Sequence, residues 1–538
     1  MGFHKPKQLS GLTVRIMMIY LFVSFGSINF GFDISWWASC LGVEEFKERY
    51  GVSPGPGQPK DIPSSWKSAG TGTPNAGMAI GCLLGGYANS VLGRKKTIAL
   101  LSVIAIVGII IQVAIDSYWA IVVGRTINGL SIGMEANVIP TYSAELAPPA
   151  IRGMLVNLYQ WWQLVGNILA SCCIYGTDQS LTGQWAYKTV MVVQFGIPVV
   201  LLTGVWFMPE SPRWLLKKHR SAQALRALEN IRKGSSTAEE VQSELALMQE
   251  ALREEEELHN ASTWIDCFRG SNLRRTMIAT GVQVLQQIQG NSFMNNYLVV
   301  FLQQIGLTNS LQIYIASNCT QLGGITLAFY FTDRVGRRPT LFFGALIMAC
   351  FMFIISGLST YTKGGMTGST AQGCVAAILL YQAVAAGSWG SCTWATTAEA
   401  ATTQLREKTT MFATFWGFTM IILVTYINPY VQDEGYGNLG SRVGFVFGGV
   451  SILAMIWVAF CLPELRGRSL EELDEMFNAR VSVWKFNKYK CQGIGARITE
   501  IQDKSATGEA VVGKFLDAVH VENVEARNVE RVEEGLGK

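Results

Sequence analysis

The sequence predicts an all-α membrane protein of twelve transmembrane helices in two pseudo-symmetric six-helix halves. Three observations lead there. Apolar residues make up 49% of the 538 positions and charged ones only 15%, against roughly 25% charged in an average soluble protein; the mean hydropathy is +0.25. Long apolar runs such as Ile98–Ile115 and Val190–Met208 lie between clustered charges, and a run of about 18 or more apolar residues crosses ~30 Å of hydrocarbon. Finally, three short patterns occur twice, in the same order. Too few charges remain to coat soluble domains, which disfavours a soluble enzyme, a secreted disulfide scaffold and a nucleic-acid-binding protein. The net charge of +4 says nothing about partners.

The candidate spans are, in order, 14–41, 74–92, 98–115, 118–139, 155–175, 189–208, 277–303, 312–331, 340–358, 374–397, 409–428 and 443–461. Basic residues crowd alternate loops: Lys5, Lys7 and Arg15; Arg94, Lys95 and Lys96; Arg152; the 213–275 stretch; Arg334, Arg337 and Arg338; Arg406 and Lys408; Arg466 and Arg468. The opposite loops are neutral, acidic or mixed. Cationic loops stay in the cytoplasm, so both termini are expected there, with the plasma membrane as the expected location. The chain then divides into an N-terminal half (1–208), a cytoplasmic linker (209–275) with a helix around Thr237–Leu258, a C-terminal half (276–477) and a cytoplasmic tail (478–538). Residues 42–73 form an external loop. No cleavable signal peptide is evident. The sequon at Asn260 falls on the cytoplasmic side, where it is not used. Most of the eleven cysteines lie inside apolar runs with no metal or disulfide spacing, as small packing residues.

The repeat is specific in spacing. Gly93-Arg94-Lys95-Lys96 returns as Gly336-Arg337-Arg338-Pro339, an offset of 243; Glu145 and Arg152 return as Glu399 and Arg406, and Pro209-Glu210 as Pro463-Glu464, both at 254. Each pair follows the corresponding span of its half. Recurrent cytoplasmic cations explain the Arg and Lys residues but not the Glu and Arg spacing. A duplicated bundle with a site between its halves is a transporter architecture.

Together with Gly31-Phe32-Asp33, Gly124-Arg125, Pro140–Glu145 (PTYSAE), Ile151-Arg152-Gly153, Pro209–Leu215 (PESPRWL), Gln286-Gln287 with Gly290, Asp333–Arg338 (DRVGRR) and Pro463–Leu473 (PELRGRSLEEL), these motifs resemble the sugar porter family of the major facilitator superfamily, over roughly residues 14–477. Ile62–Trp66 (IPSSW) and Leu405–Thr409 (LREKT) resemble its fungal disaccharide and α-glucoside branch. The resemblance implies the major facilitator fold and no cofactor.

Asp33 and Arg125 are ionisable residues inside spans, which are costly and usually functional. Each lies about eight residues from the outer end of its span, ~10–12 Å deep at 1.5 Å per residue, so the two can meet. We read Asp33 as the proton-coupling carboxylate and Arg125 as its partner; the resemblance implies the same pair. The plainer alternative is a static ion pair.

At the inner ends, Arg94, Glu145, Arg152, Glu210, Arg213, Asp333, Arg334, Arg337, Glu399, Arg406 and Glu464 are expected to form salt bridges across the gap between halves and so hold an inner gate closed; solvated loop charge is the alternative. Ser90 stands where the family has an Asp, which weakens the first-half set.

A sugar needs amides that both donate and accept, and an aromatic floor. Gln160, Gln163 and Asn167 share one face of the fifth span, and Gln283, Gln286, Gln287 and Gly290 form a stripe on the seventh, followed by Ser292 and Asn296. Interhelical hydrogen-bond glue is the alternative. The resemblance implies substrate contacts at Gln160, Gln286, Gln287 and Trp394. Ser292 replaces the family's Asn, Ser391 its Pro, and Gly417-Phe418 its polar–aromatic pair, so a hexose contact set is only partly kept.

The expected function is a secondary active transporter of a sugar or related polyhydroxy compound, with proton symport and alternating access; its partners are the sugar-like substrate, the proton and the bilayer, with no nucleic acid. The alternatives are a carrier for a fungal secondary metabolite on the same scaffold, and a sugar sensor without flux, for which the segment after Phe477 offers no repeat or strong motif. No histidine lies in a span, so no enzyme site is expected.

Overall fold

The computed structural model describes residues 14–53, 60–146, 152–233, 237–260, 263–307, 309–361, 368–433, 436–466, 468 and 470–489. Lys5, Lys7, the Ala261-Ser262 part of the sequon and the tail beyond 489 lie outside the described residues. So do the side chains of Arg152 and Asp333.

The N-terminal half comprises α1 (Val14–Cys40), a short α2 (Glu44–Tyr50), α3 (Ser64–Leu92), α4 (Arg94–Ala114), α5 (Tyr118–Leu146), α6 (Arg152–Ser180) and the bent pair α7 (Trp185–Gln194) and α8 (Gly196–Gly204). The linker folds as α9 (Pro212–Lys217), α10 (Ser221–Arg232) and α11 (Ala238–Asn260). The C-terminal half comprises α12 (Gly270–Gln286) with α13 (Ser292–Gln304), α14 (Ser310–Val335), α15 (Arg337–Tyr361), α16 (Gly368–Ala385) with α17 (Ser391–Ala400), α18 (Arg406–Gln432) and α19 (Val443–Cys461), and α20 (Leu470–Asn478) follows. All twelve expected spans are helices. Most outrun their apolar windows by a turn or more, because a helix does not end where hydrocarbon ends. The third span begins just after Gly93, and its counterpart α15 just after Gly336, both at positive φ.

Among the described residues, seven helices are long and apolar enough to cross a membrane on length and composition alone. The other five spans, α3, α5, α6, α12–α13 and α14, carry small and polar residues: glycines Gly77, Gly81, Gly129 and Gly133 let the backbones of α3 and α5 touch, and the amide-bearing faces lie on α6, α12–α13 and α14. Polar groups at membrane depth must turn inward, so the least apolar spans mark the interior.

Within the expected external loop 42–73, the described residues include ordered structure. Val52 and Asp61 pair in a β-bridge, and Phe46 and Tyr50 of α2 pack with Trp37, Tyr118 and Tyr187. Arg49 (2.5 Å) and Tyr50 (2.8 Å) both donate to Asp116 in the α4–α5 turn. Inside, Trp214, Leu215, Ala224 and Leu252 form a separate small core under the linker helices. The fold continues past 477: Phe486 packs on Phe477, and Arg275 of α12 pairs with Asp474 of α20.

Candidate functional site

Two helices of the C-terminal half break at membrane depth. Between α12 and α13, Gln287–Asn291 form a π-turn with Gly290 at φ 104°. The backbone angle is what requires glycine there; a side chain would also meet the flexible end of Met352, Cε at 2.6 Å, which would have to give way. Between α16 and α17, Ala386–Gly390 form a second π-turn. The two turns are tied: Gln286 Nε2 donates to the Trp389 carbonyl at 3.3 Å. π-turns of this kind collect at functional sites.

From that junction runs a string of amides. Gln287 Nε2 donates to Gln286 Oε1 (3.3 Å), Ser292 Oγ to Gln287 Oε1 (2.9 Å), and Asn296 Nδ2 to the Ser292 carbonyl (2.8 Å). Alongside it, Gln321 donates to Asn295, which in turn donates to Asn291. Four expected contacts, Gln286, Gln287, Ser292 and Asn296, are thus brought together. Gln160 is half-buried on α6 and makes no side-chain hydrogen bond to a described residue. Leu164, one turn further along, shares a buried cluster with Ile325 of α14 and Ala386 of the second π-turn, so α6 meets the other half at this level. Trp394 is 43% exposed. Trp389, in the second π-turn, is buried, with its Nε1 donating to the Leu341 carbonyl.

Asp33 is 1% exposed. Its Oδ1 accepts from Gln194 Nε2 (2.6 Å), Asn128 Nδ2 (2.7 Å) and Trp36 Nε1 (3.2 Å). Arg125 does not pair with it directly. It donates to the Gly70 carbonyl and lies over Trp37 and Trp36, 4.3 and 5.3 Å from the ring centres; it still acts on Asp33 as a nearby charge. Sequence gave the two a shared depth, but the azimuth of Arg125 turns it onto the tryptophans.

The inner-end charges also differ from a gate across the gap. Arg94 grips Glu145 with two hydrogen bonds, 2.8 and 2.5 Å, and Arg337 meets Glu399 at 3.0 Å; each pair joins helices of one half. Glu210 accepts from the backbone N–H groups of Arg94 and Lys95 (2.9 and 3.3 Å), and Glu464 from those of Arg337 and Arg338 (3.0 and 3.1 Å). The sequence repeat is therefore a repeated device, in which a carboxylate caps the helix that opens with the paired Arg. Arg406 opens α18 with buried Nε and Nη2 atoms that lack a hydrogen-bond partner. Arg213 is half-buried and Arg334 exposed. Ser90 is exposed, and its carbonyl accepts from Trp214 Nε1.

Ties between the halves cluster at the outer end, with a further one from Trp161 Nε1 of α6 to Thr326 Oγ1 of α14 (3.2 Å) nearer the inner end. Lys67 pairs with Asp61 (2.8 Å) and with Asp433, just past the end of α18 (3.6 Å). Ser64 donates to Asp433 (2.7 Å), Ser68 to the Tyr426 carbonyl (2.8 Å) and Lys47 to Gln303 (2.6 Å). Deeper, Asn318 donates to Ser171 (2.9 Å), which shares a hydrogen bond with Ser35 (2.8 Å).

A family model described as "Sugar (and other) transporter" matches residues 19–477. The chain belongs to that family. Among its relatives, the "Major facilitator-type transporter ecdD" of Aspergillus rugulosus is 29% identical, over 91% of this chain and 93% of that one. The "Low-affinity glucose transporter HXT3" of Saccharomyces cerevisiae is 28% identical, over 89% and 85%. The "High glucose sensor RGT2" of the same yeast is 31% identical over 74% of this chain, but the match spans only 53% of the sensor. Among solved structures, the inward-open xylose transporter XylE of E. coli superposes with a TM-score of 0.69 at 23% identity, covering 86% of this chain and 99% of that one. The fold is the all-α major facilitator fold, and the protein is a multi-pass member of the sugar transporter family.

Sequence reasoning passed over Glu135, buried on α5 with Asn29 donating to it at 3.0 Å. The rule that singled out Asp33, an acid inside an apolar span, applies to it equally. The Lys67–Asp433 latch left no such signal, since its two residues lie 366 positions apart.

Proposed function

We propose that this protein is a proton-coupled carrier for a sugar or related polyhydroxy compound, working by alternating access in the plasma membrane with both termini in the cytoplasm. The observation that carries the reading is the amide string from Gln286 through Gln287 to Ser292, set at a junction of two broken helices beside the other half. Such a string can exchange its internal hydrogen bonds for those of a polyol, because each carboxamide both donates and accepts. Gln286, Gln287, Ser292 and Asn296 bind the substrate from the C-terminal half, Gln160 binds it from the N-terminal half, and Trp394 offers an apolar ring face. Asp33, held by three neutral donors and no direct cation, loads and releases the coupled proton. Arg125 biases that exchange through its charge.

The inner-end ion pairs brace each half as a rigid body, while the outer ties set the balance between states. Arg152, Arg213, Asp333, Arg334 and Arg406 are the charges that meet across the halves when the inner side closes. Support for a sugar as cargo comes from relatives: HXT3 is a glucose transporter by name, and XylE has been solved as a proton:xylose symporter bound to 6-bromo-6-deoxy-D-glucose. The match to RGT2 favours a second reading, a sensor that binds sugar without flux.

Uptake of a panel of labelled sugars into transport-deficient cells, with and without a proton uncoupler, decides among these. The carrier accumulates at least one sugar, and the uncoupler abolishes accumulation. Asp33→Asn abolishes accumulation and leaves exchange. Binding without uptake would establish the sensor; accumulation unchanged in Asp33→Asn would remove the coupling role.

A further inference from the structure

The assigned roles leave Glu135 unused. It is 0% exposed in the middle of α5. Its Oε2 accepts one hydrogen bond, from Asn29 Nδ2 at 3.0 Å, and its Oε1 has no partner. No described cation pairs with it. The surroundings are shaped for it: a side chain at Gly26 of α1 would come within 2.9 Å of Oε1, so the glycine leaves the space the carboxyl fills. The titratable groups around it are few. Asp33 on α1 acts on it as a nearby charge. Tyr159 on α6 is within electrostatic reach, and its hydroxyl is buried without a partner. Cys82 of α3 lies beside Tyr159, Arg125 sits higher on α5 over the tryptophans, and α4 has no titratable residue beyond its opening Arg94-Lys95-Lys96.

Glu135 and Asp33 are arranged in register. On α1, Asn29 precedes Asp33 by one turn; on α5, Glu135 follows Asn128 by about two turns. Asn128 holds Asp33, and Asn29 holds Glu135, so each helix gives the other one amide and one acid. With α1 running outward and α5 inward, both Asn29 and Glu135 lie on the cytoplasmic side of the Asp33 contact, ~6 Å along α1 and ~10 Å along α5. A carboxyl shut from water with one neutral donor is far cheaper carrying a proton than a charge, and stacked acids in membrane carriers serve as proton relays.

We propose that Glu135 is a second proton-binding site, the inner stage of a two-carboxylate path whose outer stage is Asp33. The proposal rests on the proton-coupled reading of Asp33. In it, the proton that leaves Asp33 is held at Glu135 before release inward, and the bare Oε1 is where it enters or leaves.

Infrared difference spectroscopy of the full-length protein in phosphatidylcholine vesicles, titrated from acidic to alkaline pH with no sugar present, tests this directly. The expected result is a protonated-carboxyl C=O band that fades as pH rises, is absent in Glu135→Gln and persists in Asp33→Asn. Asn29→Leu, which removes the sole donor, shifts that band to higher frequency without deleting the acid, so the site stays testable should the Gln variant fail to fold. A band indifferent to Glu135→Gln, unmoved in Asn29→Leu, or unchanged by pH would overturn the proposal. Because the readout needs neither sugar nor flux, it is separate from the Asp33→Asn accumulation assay, whose failure would instead strike the outer stage.

Discussion

Gln287 offers both ends of its carboxamide to neighbours that are themselves amides or hydroxyls, and truncating it leaves those partners facing an empty place. A lost hydrogen bond in such a setting costs ~1–3 kcal/mol, so Gln287→Ala is expected to weaken sugar affinity by about tenfold or more with normal expression, as read by equilibrium binding; unaltered affinity would move the site. Gly290→Ala places a side chain at φ 104° against Met352, which costs on the order of 1–3 kcal/mol, and is expected to lower the melting temperature and slow transport together. On the outer surface, hydrogen bonds from Tyr50 and Arg49 hold the Asp116 carboxyl below the usual range. A depressed value means that the clasp stabilises the fold above the ordinary carboxylate pKa and is lost only as pH falls through the lower, folded value. The clasp therefore stays charged in a mildly acidic medium. Asp116→Asn loosens α2 at neutral pH by a surface pair's ~0.2–1 kcal/mol, visible as faster amide exchange there. At this scale the sequence was partly legible. It placed Asp33 and Arg125 at one depth because depth follows from counting residues, but it did not place Arg125 on Trp37, because rotation about a helix axis is fixed by neighbours far off in the chain.

The paired Gly-Arg turns show how an element-level signal was readable. Glu210 follows Gly93 and Glu464 follows Gly336 at the matching point of each half, 117 and 128 positions on, and in each half the carboxylate caps the helix that opens at that glycine through two backbone N–H groups. A carboxylate at a helix N-terminus offsets its unpaired donors and its dipole. Glu210→Gln and Glu464→Gln are each expected to cost ~0.5–2 kcal/mol, with similar shifts in melting temperature, because the two sites are copies; a large loss at one and none at the other would break the equivalence. The spacing alone did not say that Arg94 and Arg337 would each find a Glu of their own half, since a repeat fixes what recurs and not what it touches. The π-turns were not legible at all. Gly290 is marked by the Gln286-Gln287 motif and Gly390 is not, but neither carries a signal for a π-turn, because the extra residue each turn absorbs leaves the hydropathy unchanged.

Across the whole molecule, twelve helices and their order followed from charge bunching and apolar length, while the state in which the two halves meet did not. The halves are latched outside through Lys67, Asp433 and Ser64. Lys67→Met is expected to shift the population toward an outward-open form and to raise labelling of a cysteine placed at Asn75, which now donates to Thr425 across the seam. The account stands on two rigid half-bundles that rock about one polar site. Paired spin labels read this most directly: one pair outside at Leu181 and Tyr436, one pair inside at Lys96 and Gln404, all exposed positions split between the halves. In vesicles carrying a transported sugar and a proton gradient, the account predicts that the outer distance lengthens as the inner one shortens. Two distances that stay fixed, or that grow and shrink together, would contradict it.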